Sequence, residues 1–243
     1  EGRPIGQWGD IAIASLTKFL PVQEGGVIAS HSRSLQSVRP VGRGAMTEVK
    51  ALMDLIEVGS RYQRFGGFNA LFNGVFSLKN KLRNGAARTA VPADDAQQPN
   101  GDHALDPTLI NARIAHVSRW TVETALRERV IAQRRANFAR LVGLLSDMRG
   151  GHPLLTELPP DAAPYVFPFV SDNADPRYRA LRRLGLPLFR WDWLWPDTPH
   201  IAGDTGLVWS HSIFQLPCHQ DLDEAALLCI ANTVREVCRA HPA

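Results

Sequence analysis

The chain has 243 residues, 44% of them hydrophobic and 21% charged, and a formal net charge of +3. These are the proportions of an ordinary globular protein, and no apolar run nears the roughly 18 residues of a membrane span. Positive charge suits a phosphate, a nucleotide or a nucleic acid. The arginines, however, are dispersed (Arg113, Arg119, Arg127, Arg129, Arg134, Arg135, Arg140) and on helices mostly read as solvated faces. No recognition-helix, finger or RNA-binding pattern accompanies them, which sets nucleic acid aside.

The start, Glu1-Gly2-Arg3-Pro4, has neither an initiating Met nor a signal-peptide core. Ile11-Ala12-Ile13-Ala14 then reads as a short buried strand, and Val27-Ile28-Ala29 as a second one. Between them lies Ser15-Leu16-Thr17-Lys18-Phe19-Leu20-Pro21, followed by Glu24-Gly25-Gly26. A lysine between two core strands is expected to be partly dehydrated, which disfavours its charged form and frees the amine for imine chemistry. The plainer reading is a lysine at a strand end with its ammonium in water. Gly25 or Gly26 is expected at positive φ, and Asp10 is expected to cap a turn before the first strand.

A helix is predicted over Met46–Ile56, with Val49, Leu52, Met53 and Ile56 on one face and Thr47 as N-cap. From Gly66 to Leu82 the periodicity weakens, although Phe65, Phe68, Leu71, Phe72, Val75 and Phe76 still outline an apolar face. Residues 83–107 are dense in turn signals and read as an insertion at an active-site rim or subunit boundary. Helix resumes from Thr108, with a break expected near Trp120, and is clearest over Val130–Met148 before the stop at Gly150-Gly151.

After that the pattern is α+β. Tyr165–Val170 is a predicted strand, placed at an edge or bulge by Pro168. A short helix over Pro176–Leu184, an extended Leu186–Phe189 and a last helix over Leu222–Arg239 capped by Asp221 complete the chain. Trp191-Asp192-Trp193-Leu194-Trp195-Pro196 reads either as an aromatic wall or as packing within a small domain or against a subunit. His211 and His219 lack a third ligand at metal-like spacing, so no metal site is expected. Cys218, Cys229 and Cys238 form an odd, clustered set that argues against a disulfide framework and fits a reducing cytoplasm.

The segment Gly9–Lys18 with Glu24-Gly25-Gly26-Val27-Ile28 resembles the lysine-bearing segment of the DegT/DnrJ/EryC1/StrS aminotransferases. These are fold-type I enzymes dependent on pyridoxal 5′-phosphate. Ile213–Leu222, with Leu216-Pro217 before a turn and a final helix, is similar to the closing signature of that family. Arg134–Leu141 is similar to the helix leading into its small domain.

The resemblance implies an α/β fold: the C-terminal part of a fold-type I transferase, with a remnant of the cofactor-binding large domain over 1–120 and a small α+β domain over 121–243. It implies that Lys18 is both the cofactor attachment point and the catalytic proton carrier. Family dehydratases carry His at that position, so Lys18 points to transamination. Much of the family places its phosphate-binding Ser five residues before the lysine, where this chain has Ile13. Ser15, three residues before Lys18, matches a Ser-Leu-x-Lys-x-Leu-Pro variant, so both a phosphate contact and a bond to neighbouring backbone remain open for it.

The expected substrate is a keto sugar, nucleotide-linked, with glutamate as amino donor, in a cytoplasmic homodimer serving polysaccharide or amino-sugar synthesis. In the family, the stacking aromatic ring, the Asp paired with the pyridine nitrogen and main-chain phosphate donors precede the lysine. This sequence does not contain that stretch, so a fragment or truncated gene product is expected. A non-catalytic remnant, or another fold-type I activity such as a lyase, stays open.

Overall fold

A computed structural model describes residues 5–62, 64–70, 72, 74, 109–190, 198, 199 and 201–242. Among these the chain divides between Leu126 and Arg127 into an N-terminal and a C-terminal unit.

The N-terminal unit begins with an antiparallel hairpin, β1 (Ala12–Ser15) and β2 (Gly26–Ala29), in register from Ala12 opposite Ala29 to Ser15 opposite Gly26. The strands fall where the sequence puts them, but they are not buried: Ile13 is 83% exposed, and Val27 and Ile28 are exposed too. The sheet has two strands only. A strand buries its side chains against a second layer, and among the described residues of this unit none covers these.

Helix α1 (Ala45–Arg61) is longer at both ends than its apolar periodicity indicates. Gly44, not Thr47, is its N-cap, and the Thr47 N–H already donates to the Gly44 carbonyl at 3.0 Å. Helix α2 (His116–Thr124) packs on α1. The Glu48 carboxylate of α1 accepts the His116 N–H at 2.9 Å and so caps the start of α2 from outside. That bond, with the His116 ring at 3.1 Å, holds Glu48 below the usual carboxylate range. The predicted break near Trp120 lies instead at Ala125, which turns to an extended conformation. The apolar face expected from Phe65 is described only in part, with Phe65 and Phe72 in an edge-to-face contact at 5.3 Å. Most of the rest of that face, the segment 83–107 and the tryptophans of 191–196 lie outside the described residues.

The C-terminal unit is α+β. In chain order it contains α3 (Arg127–Leu145), β3 (Gly151–Pro153), β4 (Phe167–Ser171), α4 (Ala174–Arg183), β5 (Phe189–Arg190), α5 (Gly206–Ser212), β6 (Ile213–Leu216) and α6 (Glu224–Ala240). The sheet order is β3-β4-β6-β5, antiparallel throughout. Pro168 thus sits in an interior strand, contrary to the edge expectation. Its carbonyl accepts the Leu154 N–H at 2.9 Å, one residue beyond the end of β3. A proline cannot return that bond, so the β3–β4 ladder stops there and no donor is wasted.

Phe138, Leu141 and Leu145 of α3 meet Phe167 and Phe169 of β4, Phe214 and Leu216 of β6, Leu181 of α4, and Leu227, Ile230 and Val234 of α6 in one core. The Phe138 and Phe167 rings lie 4.9 Å apart. Helix α6 is capped by Asp223, whose carboxylate accepts the Ala226 N–H at 2.8 Å, and not by Asp221. Asp221 stands in the turn before the helix, with Gln220 Nε2 at 3.2 Å.

Arg134 of α3 is buried, on the periodic stripe of its helix with Phe138 and Leu141, and is an exception among arginines that mostly read as solvated. It donates to Gln220 Oε1 at 2.7 Å and to the Pro164 and Tyr165 carbonyls at 3.1 Å. Asn137 Nδ2, one turn on, donates to the His219 carbonyl at 2.7 Å. Together they pin the Pro217–Asp221 turn onto α3. No described helix is long and apolar enough to cross a membrane.

Phe138 is 2% exposed, so Phe138→Ala is expected to destabilise the chain by about 3–5 kcal/mol. A Cβ on Gly143, on the exposed face of the same helix, meets nothing within 4 Å. Gly143→Ala is therefore expected to stabilise by about 0.5–1 kcal/mol. Urea unfolding of both variants checks the opposite signs. Burial also pushes the Cys218 thiol up to about 12 and raises that of Cys238, while Cys229 is exposed. At pH about 8, near the ordinary thiol value, an aromatic disulfide reagent is expected to titrate Cys229 in the folded chain and the other two only after denaturant is added.

Candidate active site

Lys18 closes a 3-10 turn (Leu16–Lys18) that leaves β1 directly. The Leu16 N–H donates across the hairpin to the Gly25 carbonyl at 3.2 Å, and the Phe19 and Leu20 N–H groups donate back to the Leu16 carbonyl at 3.3 and 3.0 Å. Val22, in the loop that returns to β2, is 2% exposed and anchors it. Gly25 has φ of 97°, the positive angle expected in this pair. A Cβ there would lie 2.5 Å from Ile114 Cδ1, so both conformation and space require glycine. Tight local bonding therefore fixes the backbone that carries the lysine.

Lys18 itself is exposed, which corrects the expectation of partial dehydration. It borders a cleft of about 710 Å³ together with Ser15, Gly26, Val38, Pro40 and Asn111. Ser15 and Lys18, the two residues singled out from the sequence, thus share one wall. The Ser15 hydroxyl lies 3.0 Å from that of Thr17, a side-chain contact and not the bond to neighbouring backbone that was one of its two readings.

Sequence reasoning missed the opposite wall. It is made where Val41 bridges Ala112 in parallel, with the Val41 N–H on the Asn111 carbonyl at 2.6 Å and the Arg113 N–H on the Val41 carbonyl at 2.8 Å. A single bridge between residues 71 apart in the chain carries no periodic signal.

Glu24 joins these pieces. Its carboxylate pairs with Arg43 just before α1, and its other oxygen accepts the N–H of fully buried Ala115 at 2.8 Å. Asp10 works at the open end of the hairpin. Its carbonyl accepts from the Ser30 hydroxyl at 2.6 Å, and its carboxylate holds Ser32 and Arg33 at 3.2 and 3.3 Å.

Chemically, the lining offers one amine, one hydroxyl, the Asn111 amide and main-chain groups on apolar walls. An aldehyde-bearing phosphorylated cofactor fits this set at its reactive end, where an amine is needed, and at one phosphate contact. The lining residues include no carboxylate for a pyridine nitrogen and no aromatic ring to stack on. Among the described residues no three His, Cys, Asp or Glu side chains gather as a metal set.

No protein-family model and no curated protein matches the chain. Among solved structures it is similar to the crystal structure of an aminotransferase, TlmJ from Streptoalloteichus hindustanus, with 22% sequence identity and a TM-score of 0.43. The match covers 51% of this chain and 35% of that one, so the chain accounts for about a third of that protein's length.

Glu24→Ala leaves the Arg43 guanidinium without its carboxylate and the Ala115 N–H without an acceptor. The N-terminal unit is expected to lose roughly 3 kcal/mol. Faster limited proteolysis between Lys18 and Arg43, compared with the parent chain, is the readout.

Proposed function

We propose that Lys18 is the cofactor-bearing lysine of a pyridoxal 5′-phosphate-dependent aminotransferase of the DegT/DnrJ/EryC1/StrS type, to which this chain contributes the lysine segment and a small C-terminal α+β domain. The proposed acceptor is a nucleotide-linked keto sugar, the proposed donor glutamate, and the proposed assembly a cytoplasmic homodimer. The observation that carries this reading is the position of Lys18. It stands on a turn closed by local main-chain bonds, at the edge of a cleft that Ser15 also lines, in a segment that resembles the family's pattern apart from Ile13.

When bound, the cofactor supplies an aldehyde that condenses with amines and a ring that withdraws electrons from the carbon next to nitrogen. The chain's own residues account for the rest. Lys18 Nζ would hold the group, and as a free amine it would carry the proton that transamination requires. Ser15, whose hydroxyl now meets that of Thr17, would offer it to a phosphate oxygen. Glycines at 25 and 26 let the backbone approach closely, and Glu24 keeps the turn on its support.

A second reading is favoured by the exposed apolar hairpin and by a lining without ring partners: a non-catalytic piece that pairs with another chain. One experiment separates the two. The chain is mixed with one equivalent of pyridoxal 5′-phosphate, reduced with borohydride, digested and mapped by mass spectrometry. The label is expected on Lys18, not on Lys50, Lys79 or Lys81, with the visible absorbance lost in Lys18→Ala. A label spread evenly over all four lysines supports the non-catalytic piece. Glutamate-dependent release of 2-oxoglutarate, with a nucleotide-linked keto sugar present, then distinguishes transamination from a lyase.

A further inference from the structure

Arg177 of α4 is the largest fully buried side chain among the described residues, with no exposed surface. Its Nε donates to the His241 carbonyl at 2.8 Å, and Nη1 donates to the Gly150 carbonyl and to Ser171 Oγ, the latter at 3.2 Å. Every one of these acceptors is neutral. No carboxylate pairs with the guanidinium among the described residues. A guanidinium cannot shed its proton to escape this position, and a buried cation without an anion is costly.

The surroundings add positive charge. Arg177 lines a cleft of about 800 Å³ whose wall also carries Arg149, Arg235 and Arg239, against Asp147 and Asp172. Arg235 Nη2 donates to the Leu144 carbonyl, which fixes that side chain. Among the described residues Arg149 and Arg239 form no ion pair, and neither do the two aspartates. The cleft thus combines four guanidiniums with two carboxylates and neutralises neither set internally. Gly150, with φ of 87°, closes its floor: a Cβ there would lie 2.6 Å from Arg177 Nη2. The missing side chain lets the main chain lie against the guanidinium.

We infer that this cleft, in the C-terminal unit, is a binding site for a multiply charged phosphate compound, with Arg149 and Arg239 as exposed arms and the buried Arg177 adding positive charge behind the Gly150 floor. Planar guanidinium forks match phosphate oxygens in pairs, and an anion supplies the charge that Arg177 lacks. The cleft volume falls in the range of small-molecule sites and exceeds what a single orthophosphate would fill, which favours a diphosphate or a phosphate ester. The site is independent of any cofactor on Lys18.

The test is titration calorimetry of the full chain with inorganic pyrophosphate at low salt, with orthophosphate and sulfate for comparison. Saturable binding at one site is expected, tighter for pyrophosphate, and weakened about tenfold by Arg149→Ala and by Arg239→Ala. Both residues are exposed, so the fold is retained, which circular dichroism confirms. Asp172→Asn removes a repelling carboxylate and is expected to tighten binding a few-fold, while Arg33→Ala in the other unit leaves it unchanged. Absence of saturable binding, equal weakening by Arg33→Ala, or weaker binding in Asp172→Asn overturns the assignment.

Discussion

The carboxylate of Glu24 is the interaction on which the N-terminal unit depends. The hairpin that carries Lys18 buries little of its own surface, so it is held less by apolar packing than by polar tethers. Glu24 reaches from the hairpin loop to Arg43 before α1 and to the main chain before α2, and so binds three segments distant in sequence. Glu48 repeats the device from α1 to the first N–H of α2. In both cases an acidic side chain satisfies a helix-entry amide that the helix itself leaves unpaired.

The C-terminal unit is built differently. Its apolar core is continuous from α3 through the sheet to α6, and buried polar side chains are spent on chain segments without regular structure. Arg134 gathers the carbonyls of Pro164 and Tyr165, and Arg177 those of Gly150 and His241. A guanidinium suits this task because its several donors leave in fixed directions and can hold two loops at once. Hydrophobic contact sets where the helices lie, and arginine sets where the loops between them run.

What the sequence disclosed, and what it withheld, follows from how local each signal is. The hairpin, its positive-φ glycine and the long helices α1, α3 and α6 rest on short-range periodicity and on Gly and Pro placement, and they were legible. Asp221 and Asp223 both precede α6, and only the geometry of the turn shows which carboxylate meets the Ala226 N–H. Pro168 was misplaced because proline excludes a ladder bond, not an interior strand, and here the neighbouring strand ends where that bond would fall. Burial was the hardest to read. Alternating or apolar strands imply a cover that the described residues of the N-terminal unit do not provide, and Arg134 lies on a helix whose other arginines are largely solvated. The far wall of the Lys18 cleft could not be anticipated, since it arises from one contact between remote segments.

The two-stranded hairpin also has a dynamic consequence. A ribbon of this kind keeps one row of peptide groups paired inward and leaves its outer rows to solvent, and alone it is marginally stable in water. Its amides are therefore expected to exchange with deuterium through small local openings, sooner than those of the sheet around β4 and β6. The amine at position 18 rides on the turn of that ribbon, and whatever docks along the ribbon's outer edge would also set how still the two strands are held.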